Sequence, residues 1–320
     1  MPEREAEEEV EPSILRAVEI TLGAKALCAS RIGRGTVNKS YKVETARGSV
    51  IVKVFRSGGW PEAGKLEWLG RQLKKYDIPH PRAIFYGVDA DAFPNGLLIT
   101  EHVEGEDAGE AIGGGRMTPE GFCEKLGSLL RRVHAVRVGA YGYLRGGAGV
   151  SPDFIGRRLE QTRDDVDQIG SACVRDGNLY ETVKSGVRRL LSSYERSYRP
   201  VLTHGDPHVE NCILQRDGRL VLTDWDNAAS SIWLRDYAHL TYWGLRSAQT
   251  GAVGERGQSA RGAFLKGYGA AGIDAEAICR IETAFHLIWA YNSLSDCEMQ
   301  GDDDAAVEAG EVLSSLLSGC

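Results

Sequence analysis

The sequence predicts an α+β protein with two lobes, a small β-rich lobe at the N-terminus and a larger helical lobe after it. The first hundred residues contain several short strand patterns and one helical pattern, and the β-branched run SVIVKVF at 49–55 is the clearest strand. From Glu104-Gly105 onward, apolar residues recur mainly at helical spacing. A chain of 320 residues is also long enough for about two domains.

The N-terminal lobe is predicted over residues 12–103. Six glutamates within residues 1–11 indicate a disordered acidic tail ahead of it. The elements expected in this lobe are a helix over 13–22, strands over 40–45 and 49–55, a helix over 63–75, and strands near 83–88 and 96–103. The second helix is expected to end before Pro79, since proline cannot continue a helix.

The C-terminal lobe is predicted over residues 104–320 and is mainly helical. The helices expected from apolar spacing are 121–135, 179–194, 258–268, 275–294 and 304–317. One short β region interrupts them, over 201–214 and 220–224, with a turn at Asp217-Gly218 between its strands.

Charge and composition exclude several classes of protein. The net charge is −7, but the tail contributes −5 and the patch Asp302, Asp303, Asp304 and Glu308 contributes −4, so the remainder carries +2. Without a basic stripe we expect no nucleic-acid partner. No apolar run approaches the ~18 residues of a membrane helix, and the N-terminus lacks the pattern of a secretory signal. Seven scattered cysteines without a CxxC pair favour reduced thiols and a cytoplasmic location. A monomer and a homodimer are both compatible with the sequence.

A polar loop between two predicted strands carries the strongest functional signal. It reads THGDPHVEN at 203–211, with Asp206 five residues before Asn211, and Asp224 ends the following strand. Phosphoryl transfer from a nucleotide needs one carboxylate to accept the proton of the acceptor hydroxyl. It needs a second carboxylate and an amide oxygen to hold Mg²⁺. Turn geometry alone explains the glycine and proline of the loop, but not the second strand that ends in an aspartate.

The segment 204–211 resembles the HGDxHxxN loop of the aminoglycoside phosphotransferase and choline kinase-like family of small-molecule kinases, which have a protein-kinase-like fold. The DWD segment at 224–226 is similar to the metal-binding segment of that family, and the resemblance extends over about residues 22–294. It implies a nucleotide-dependent O-phosphotransferase that moves the γ-phosphate of ATP or GTP to a hydroxyl of a small molecule.

The resemblance also implies roles for individual residues. Asp206 is then the catalytic base, and Asn211 and Asp224 are the Mg²⁺ ligands. His208 stands where protein kinases carry a lysine near the γ-phosphate. Asp226 either reaches a second metal ion and contacts the substrate or is a solvated or salt-bridged carboxylate.

Lys53 lies in the centre of the strand 49–55, and a lysine in a buried strand is unfavourable unless it is paired. In the kinase template this lysine contacts the α and β phosphates and is positioned by a helix glutamate. Glu67, within KLEWLGRQL, is the expected partner. The alternatives are an edge-strand lysine on the solvent face and an ordinary surface glutamate.

Two backbone segments complete the predicted nucleotide site. Glycines within RIGRGTVNKSY at 31–41 allow main-chain amides to approach phosphates, although a hairpin turn explains them as well. The residues of this loop assigned to the nucleotide are Gly33, Gly35 and Thr36. By the resemblance, the hinge residues whose main chain binds the base are Glu101, His102 and Val103.

The acceptor is expected in the helical lobe, where the sequence leaves alternatives open. The candidates for its binding wall are Trp243, Trp289, Tyr291 and Asp296, although helical aromatics are more often part of the core. The acidic run 302–304 either attracts a cationic acceptor or caps the last helix.

We expect an antibiotic-type acceptor, and therefore a resistance kinase. A metabolic kinase for a sugar or an amino alcohol is the alternative. From another class, a nucleotide-binding pseudokinase is disfavoured because Lys53, Asp206, Asn211 and Asp224 are all present.

Overall fold

The structure, a computed structural model, describes residues 2–32, 38–56, 64–144, 146–147, 149, 177–192, 199–244, 255–270, 272–300 and 302–319. The chain forms two compact units, Met1–Glu106 with Ile213–Asp226, and Asp107–Cys212 with Asn227–Cys320. The first unit is built on an antiparallel sheet and the second mainly on helices, as the sequence predicts.

The division of the chain differs from the predicted boundary after residue 103, because residues 213–226 belong to the first unit. The Leu222 amide donates to the Pro79 carbonyl over 3.3 Å. The carboxylates of Asp224 and Asp226 pair with Lys53. A boundary drawn from the change in hydrophobic period cannot register such contacts between distant segments.

The elements up to residue 144 are α1 (Pro2–Leu22), β1 (Ala26–Ile32), β2 (Lys39–Thr45), β3 (Gly48–Val54), α2 (Lys65–Lys75), β4 (Ala83–Asp89), β5 (Phe93–Glu101), β6 (Glu106–Asp107), α3 (Ala108–Gly113), α4 (Pro119–Val133) and β7 (Gly142–Tyr143). Helix α1 starts inside the segment that the sequence assigns to an acidic tail. Strand β1 is not predicted, because only Ala26 of its seven residues is buried and its apolar alternation is therefore weak.

The later elements are α5 (Gly177–Leu191), β8 (Val201–Thr203), β9 (Cys212–Leu214), β10 (Leu220–Leu222), β11 (Ala229–Ser231), α6 (Leu234–His239), α7 (Glu255–Tyr268), α8 (Ala275–Gln300) and α9 (Asp303–Ser318). Two 3₁₀ turns, Val209–Asn211 and Trp225–Asn227, and one π-helical turn, Leu240–Gly244, lie between them.

The sheet of the first unit has the order β1-β2-β3-β5-β4, with antiparallel neighbours. Lys53 lies on β3 opposite Ser40 of β2 and Leu98 of β5, so its strand is central. This placement removes the edge-strand interpretation of Lys53. One face of the sheet packs on α1, through a core that includes Ile14 and Val18.

In the second unit, α4 and α7 pack closely because a glycine lies between them. A Cβ on Gly127 would overlap the Phe264 carbonyl and approach the Tyr268 amide to 2.9 Å. Thr118 caps α4 by accepting the Gly121 amide, and Pro119 occupies the first turn. Strand β11 pairs with β7 and β8 and so fixes β8, the strand that leads into the HGD loop.

Candidate active site

The loop after β8 is held by a buried carboxylate from α6. Asp236 accepts the His204 amide at 2.7 Å through Oδ2 and the Gly205 amide at 2.8 Å through Oδ1. His134 Nε2 lies 3.1 Å from Asp236 Oδ2. Burial raises the pKa of Asp236, but the hydrogen bond from His134 and nearby positive charge outweigh it and hold that pKa below its usual value. The loop backbone therefore has few alternative positions.

Gly205 is required by the turn that follows. Its φ is +90°, and a Cβ at this position would overlap the Asn227 carbonyl and lie 2.6 Å from Arg235 Nη1. A side chain here would therefore be both strained and obstructed. The glycine lets the chain turn so that the next residue, Asp206, leaves the buried strand half-exposed.

Three side chains surround the Asp206 carboxylate. Asn211 Nδ2 donates to the Asp206 carbonyl at 2.9 Å and to Oδ2 at 3.1 Å. The Nε2 atoms of His208 and His239 each lie 3.4 Å from Oδ1. Burial raises the pKa of Asp206, but the His208 hydrogen bond and the neighbouring histidines together bring it well below its usual value. Asp206 is therefore ionised at neutral pH, as a proton acceptor must be.

The orientation of Asn211 leaves one atom for a ligand. Its side-chain hydrogen bonds to Asp206 and its contact with His208 at 3.1 Å all use Nδ2. Within the described part of the chain, the amide oxygen of Asn211 has no hydrogen bond, and an amide oxygen is a ligand that Mg²⁺ accepts. The structure thus brings Asp206, His208 and Asn211 together as the motif predicts.

Lys53 lies at the centre of a cluster of charged side chains in the first unit. Its Nζ lies 2.7 Å from Asp224 Oδ1 and 2.8 Å from Asp226 Oδ2. Asn38 Nδ2 also donates to Asp226 Oδ2, at 3.2 Å. Burial lowers the pKa of Lys53, but the two carboxylates outweigh it and raise that pKa above its usual value. Lys53 is therefore a fixed positive charge.

Asp224 has a backbone conformation that is unusual for its residue type. Its φ is +52°, in the left-handed region, and both its contact with Lys53 and its contact with the Asp226 amide use Oδ1. Strained residues of this kind concentrate at functional sites. No contact with a described residue uses the second oxygen of Asp224, so this oxygen is available to a ligand. Asp226 is more deeply buried than Asp224.

The expected pair between Lys53 and Glu67 is wrong. Glu67 pairs with Arg71 at 2.6 Å and its side chain is 78% exposed. Lys65, two residues earlier, lies on the buried face of α2 with Leu69 and Leu73. Positions two apart lie on nearly opposite sides of a helix, so Glu67 faces solvent. The charge of Lys53 is instead balanced by the two aspartates near β10.

Lys65 is a site residue that the sequence analysis missed. It is fully buried, and its Nζ donates to the Asp226 carbonyl at 2.5 Å. Its spacing was the available signal, since Lys65 lies on the same helical stripe as the buried residues Leu69 and Leu73. A lysine on an apolar stripe needs a polar partner, and here the partner is the DWD segment.

The predicted base-binding hinge follows β5. Glu101 pairs with Arg82 at 2.8 Å, and His102 Nδ1 lies 3.2 Å from Glu104. Among the described residues, the main chain of His102 and Val103 forms no backbone–backbone hydrogen bond, which leaves its donors and acceptors available. The predicted phosphate residues Gly33, Gly35 and Thr36 lie outside the described part of the chain.

The acceptor candidates on α8 have different environments. Trp289 is buried and presents its ring edge-on to His239, with centroids 5.4 Å apart. Tyr291 is fully buried and packs against Tyr180, so its assignment to a substrate wall is wrong. Trp289 and Tyr291 are two positions apart, which is about 200° around the helix, so they cannot line one wall. Asp296 is exposed, about 10 Å further along the helix axis than Trp289.

Trp243 is the most open aromatic side chain near the Asp206 loop. It is 46% exposed, lies on the π-helical turn after α6, and packs on His239 and Tyr242.

The acidic run before α9 has a structural role, because the Asp302 side chain accepts a hydrogen bond from the Ala305 amide and caps that helix. Among the described residues, no helix is long and apolar enough to cross a membrane, and no group of three or more acidic, cysteine or histidine side chains forms a metal cluster.

These features define a kinase-like phosphotransferase fold with an HGD loop in one unit and a lysine–aspartate cluster in the other. A family model described as "Phosphotransferase enzyme family" matches residues 29–277, so the chain belongs to that family and is a phosphotransferase. The resemblance predicted from the loop, and with it the protein-kinase-like fold class, is confirmed. A search of curated protein sequences gave no match.

Solved structures match the chain over nearly its whole length. A thermostable mutant of aminoglycoside phosphotransferase APH(4)-Ia is 13% identical, with a TM-score of 0.67 over 95% of this chain and 98% of that chain. Choline kinase LicA from Streptococcus pneumoniae is 17% identical, with a TM-score of 0.64 over 97% and 99%. A putative fructosamine-3-kinase from Thermobifida fusca YX-ER1 is 18% identical, with a TM-score of 0.60 over 96% and 99%. At these identities the matches establish the fold, and they include enzymes named for quite different acceptors.

Proposed function

We propose that this protein transfers the γ-phosphate of ATP or GTP to a hydroxyl group of a small molecule, with an antibiotic as the first candidate acceptor. The ionised, well-held carboxylate of Asp206 is the observation that supports this best. Asp206 accepts the proton as the acceptor oxygen attacks the γ-phosphorus, and the bond to the β-phosphate oxygen breaks. The products are a phosphorylated acceptor and a nucleoside diphosphate.

The donor side of the proposal rests on Lys53 and the hinge. A fixed positive charge on a central strand suits the α and β phosphates of a nucleotide. The main-chain groups of His102 and Val103, which form no backbone–backbone hydrogen bond within the described residues, suit the edge of a base. A structure of APH(4)-Ia in complex with AMP-PNP and hygromycin B shows that a protein of this fold binds a nucleotide with an antibiotic.

Each of the two residues that we assign to Mg²⁺ offers a donor atom of the type that this ion prefers. Asn211 offers an amide oxygen and Asp224 a carboxylate oxygen, and Mg²⁺ prefers such hard donors with phosphate and water as its remaining ligands. When bound, the ion neutralises phosphate charge and orients the phosphate chain. Lys53 and Asn38 hold the carboxylates of the DWD segment in place for this role.

A metabolic kinase for a sugar or an amino alcohol is the second candidate. On the π-helical turn after α6, Trp243 is 46% exposed and packs on His239. The acidic residue Asp302 is used as a helix cap. Both observations favour acceptors with an apolar face over strongly polycationic ones.

A panel of hydroxylated antibiotics, sugars and amino alcohols, assayed with ATP and with GTP separately, tests the proposal. Phosphorylated product should form with the wild type, and Asp206→Ala should reduce kcat by about 10²- to 10⁴-fold while the protein still folds and binds nucleotide. Product formed by Asp206→Ala at the wild-type rate would show that Asp206 is not the base. Nucleotide binding without turnover of any acceptor would favour a pseudokinase.

A further inference from the structure

Helix α6 reaches the HGD loop with two side chains. Asp236 binds the backbone at residues 204 and 205, and His239, three residues later on the same face, approaches the carboxylate of Asp206. The first contact fixes the loop backbone. The second contact acts on the reacting group and is not part of the HGD motif.

The two oxygens of Asp206 have different neighbours. Oδ2 accepts a hydrogen bond from Asn211 Nδ2 at 3.1 Å. Oδ1 lies 3.4 Å from Nε2 of both His208 and His239. The Nε2 of His208 also lies 3.1 Å from Asn211 Nδ2, which is a donor. His208 is therefore shared between Asn211 and Asp206, whereas the polar neighbour of His239 Nε2 is Asp206 Oδ1.

The tautomer of His239 follows from its surroundings. Burial lowers its pKa to about 4, so the ring is neutral at pH 7 and carries one N–H. A carboxylate only accepts hydrogen bonds, so a hydrogen bond from this ring to Asp206 requires the hydrogen on Nε2, the nitrogen that lies 3.4 Å from Oδ1. The charged groups that act on this ring are Asp206, Asp236 and Arg235, together with the neighbouring His208.

The buried position of this ring has no simple packing explanation. The ring lies edge-on to Trp289 and tilted against Trp243, an environment that a phenylalanine would also fill. Nδ1 is buried and has no hydrogen-bond partner among the described residues. An imidazole here leaves a polar atom unpaired, which a phenyl ring would not do. The contact of Nε2 with Asp206 is the feature that an imidazole provides and a phenyl ring lacks.

We propose that His239 is a positioning residue, whose Nε2–H holds Oδ1 of Asp206 and fixes the rotation of the carboxylate that accepts the proton of the acceptor hydroxyl. The inference rests on the proposed function, since it concerns the base of that reaction. With Asn211 at one oxygen and His208 and His239 at the other, the rotation of the carboxylate is restricted. A misplaced reacting group of about 1 Å can reduce a rate by about 10²-fold.

His239→Phe and His239→Gln test this inference, because phenylalanine keeps the ring and glutamine keeps a donor near the position of Nε2. In His239→Phe we expect kcat to fall by about 10- to 100-fold. The KM for nucleotide and the melting temperature should stay close to those of the wild type. In His239→Gln most of the lost kcat should return. His286→Phe is the matched control, because His286 also packs on Trp289 but binds Thr241 instead of Asp206. It should change the melting temperature without changing kcat.

A second measurement does not depend on turnover. The ¹⁵N chemical shifts of the His239 ring should show a neutral ring protonated at Nε2 in the wild type, and Nε2 should shift in Asp206→Ala. An unchanged kcat in His239→Phe, or an Nδ1-protonated ring that ignores Asp206→Ala, would overturn the inference. If the wild type turns over no acceptor, the proposed function fails while the ring shifts still decide whether the contact exists.

Discussion

Replacing Asp236 with asparagine should weaken the hydrogen bonds that hold the backbone of the HGD loop. Oδ2 of Asp236 accepts the His204 amide and His134 Nε2, while Oδ1 accepts the Gly205 amide. In Asp236→Asn the remaining oxygen can serve the first pair, so the new amide nitrogen faces the Gly205 N–H. Two buried donors then point at each other with no acceptor.

The size of the effect follows from the burial of this group, which is complete. Each buried donor left without a partner costs about 1–3 kcal/mol, and the remaining bonds also lose the carboxylate charge. We therefore expect Asp236→Asn to lower the free energy of unfolding by about 2–4 kcal/mol. Because the same bonds hold the residues next to Asp206, kcat should fall by about 10²-fold.

Urea unfolding and steady-state kinetics measure both effects. The matched control is Asp217→Asn. Asp217 also accepts hydrogen bonds from a backbone amide and from a side chain, both of Arg219, but it lies at an exposed turn. This control should change the free energy of unfolding by less than about 0.5 kcal/mol. If Asp236→Asn behaves like Asp217→Asn in both assays, Asp236 does not hold the loop and the reasoning is wrong.

Three further outcomes are expected. Asp224→Ala, or excess chelator with the wild type, should abolish turnover because phosphate charge stays uncompensated; full activity in chelator would exclude Mg²⁺. Burial lowers the pKa of His239 from 6.5 to about 4, so only the unfolded chain is protonated between these values. The free energy of unfolding should therefore fall by up to about 3 kcal/mol as the pH drops through that window. Urea unfolding at pH 7.5 and pH 5 should show a smaller change in the free energy of unfolding for His239→Phe than for the wild type. An equal change in both proteins would contradict the lowered pKa of His239. Changing Asp302, Asp303 and Asp304 together to Asn should lower stability by up to about 1 kcal/mol and leave the acceptor KM unchanged; a raised KM at low salt would restore a role in acceptor binding.

The chemistry of the Asp206 loop is local, and for that reason the sequence determined it. The spacing from Asp206 to Asn211 places both side chains on one tight turn, and the structure joins them by hydrogen bonds. Similarly, β-branched residues around Lys53 define a strand, although its central position in the sheet depends on the pairing with β2 and β5. The spacing of apolar residues also predicts a small sheet in the first lobe and most of the helices, whereas the antiparallel pairing of the strands is seen only in the structure.

The partners of these groups depend on contacts between distant segments, and only the tertiary structure decided them. Lys53 pairs with Asp224, 171 positions away, whereas sequence reasoning chose the nearer Glu67. A helix glutamate looks the same in sequence whether it faces a strand or solvent, because the rotation of the helix is set by packing. Tyr291 illustrates the same limit, since an aromatic residue on a helix can be core or wall. His239 approaches Asp206 because α6 packs against the loop, and no spacing rule encodes that contact.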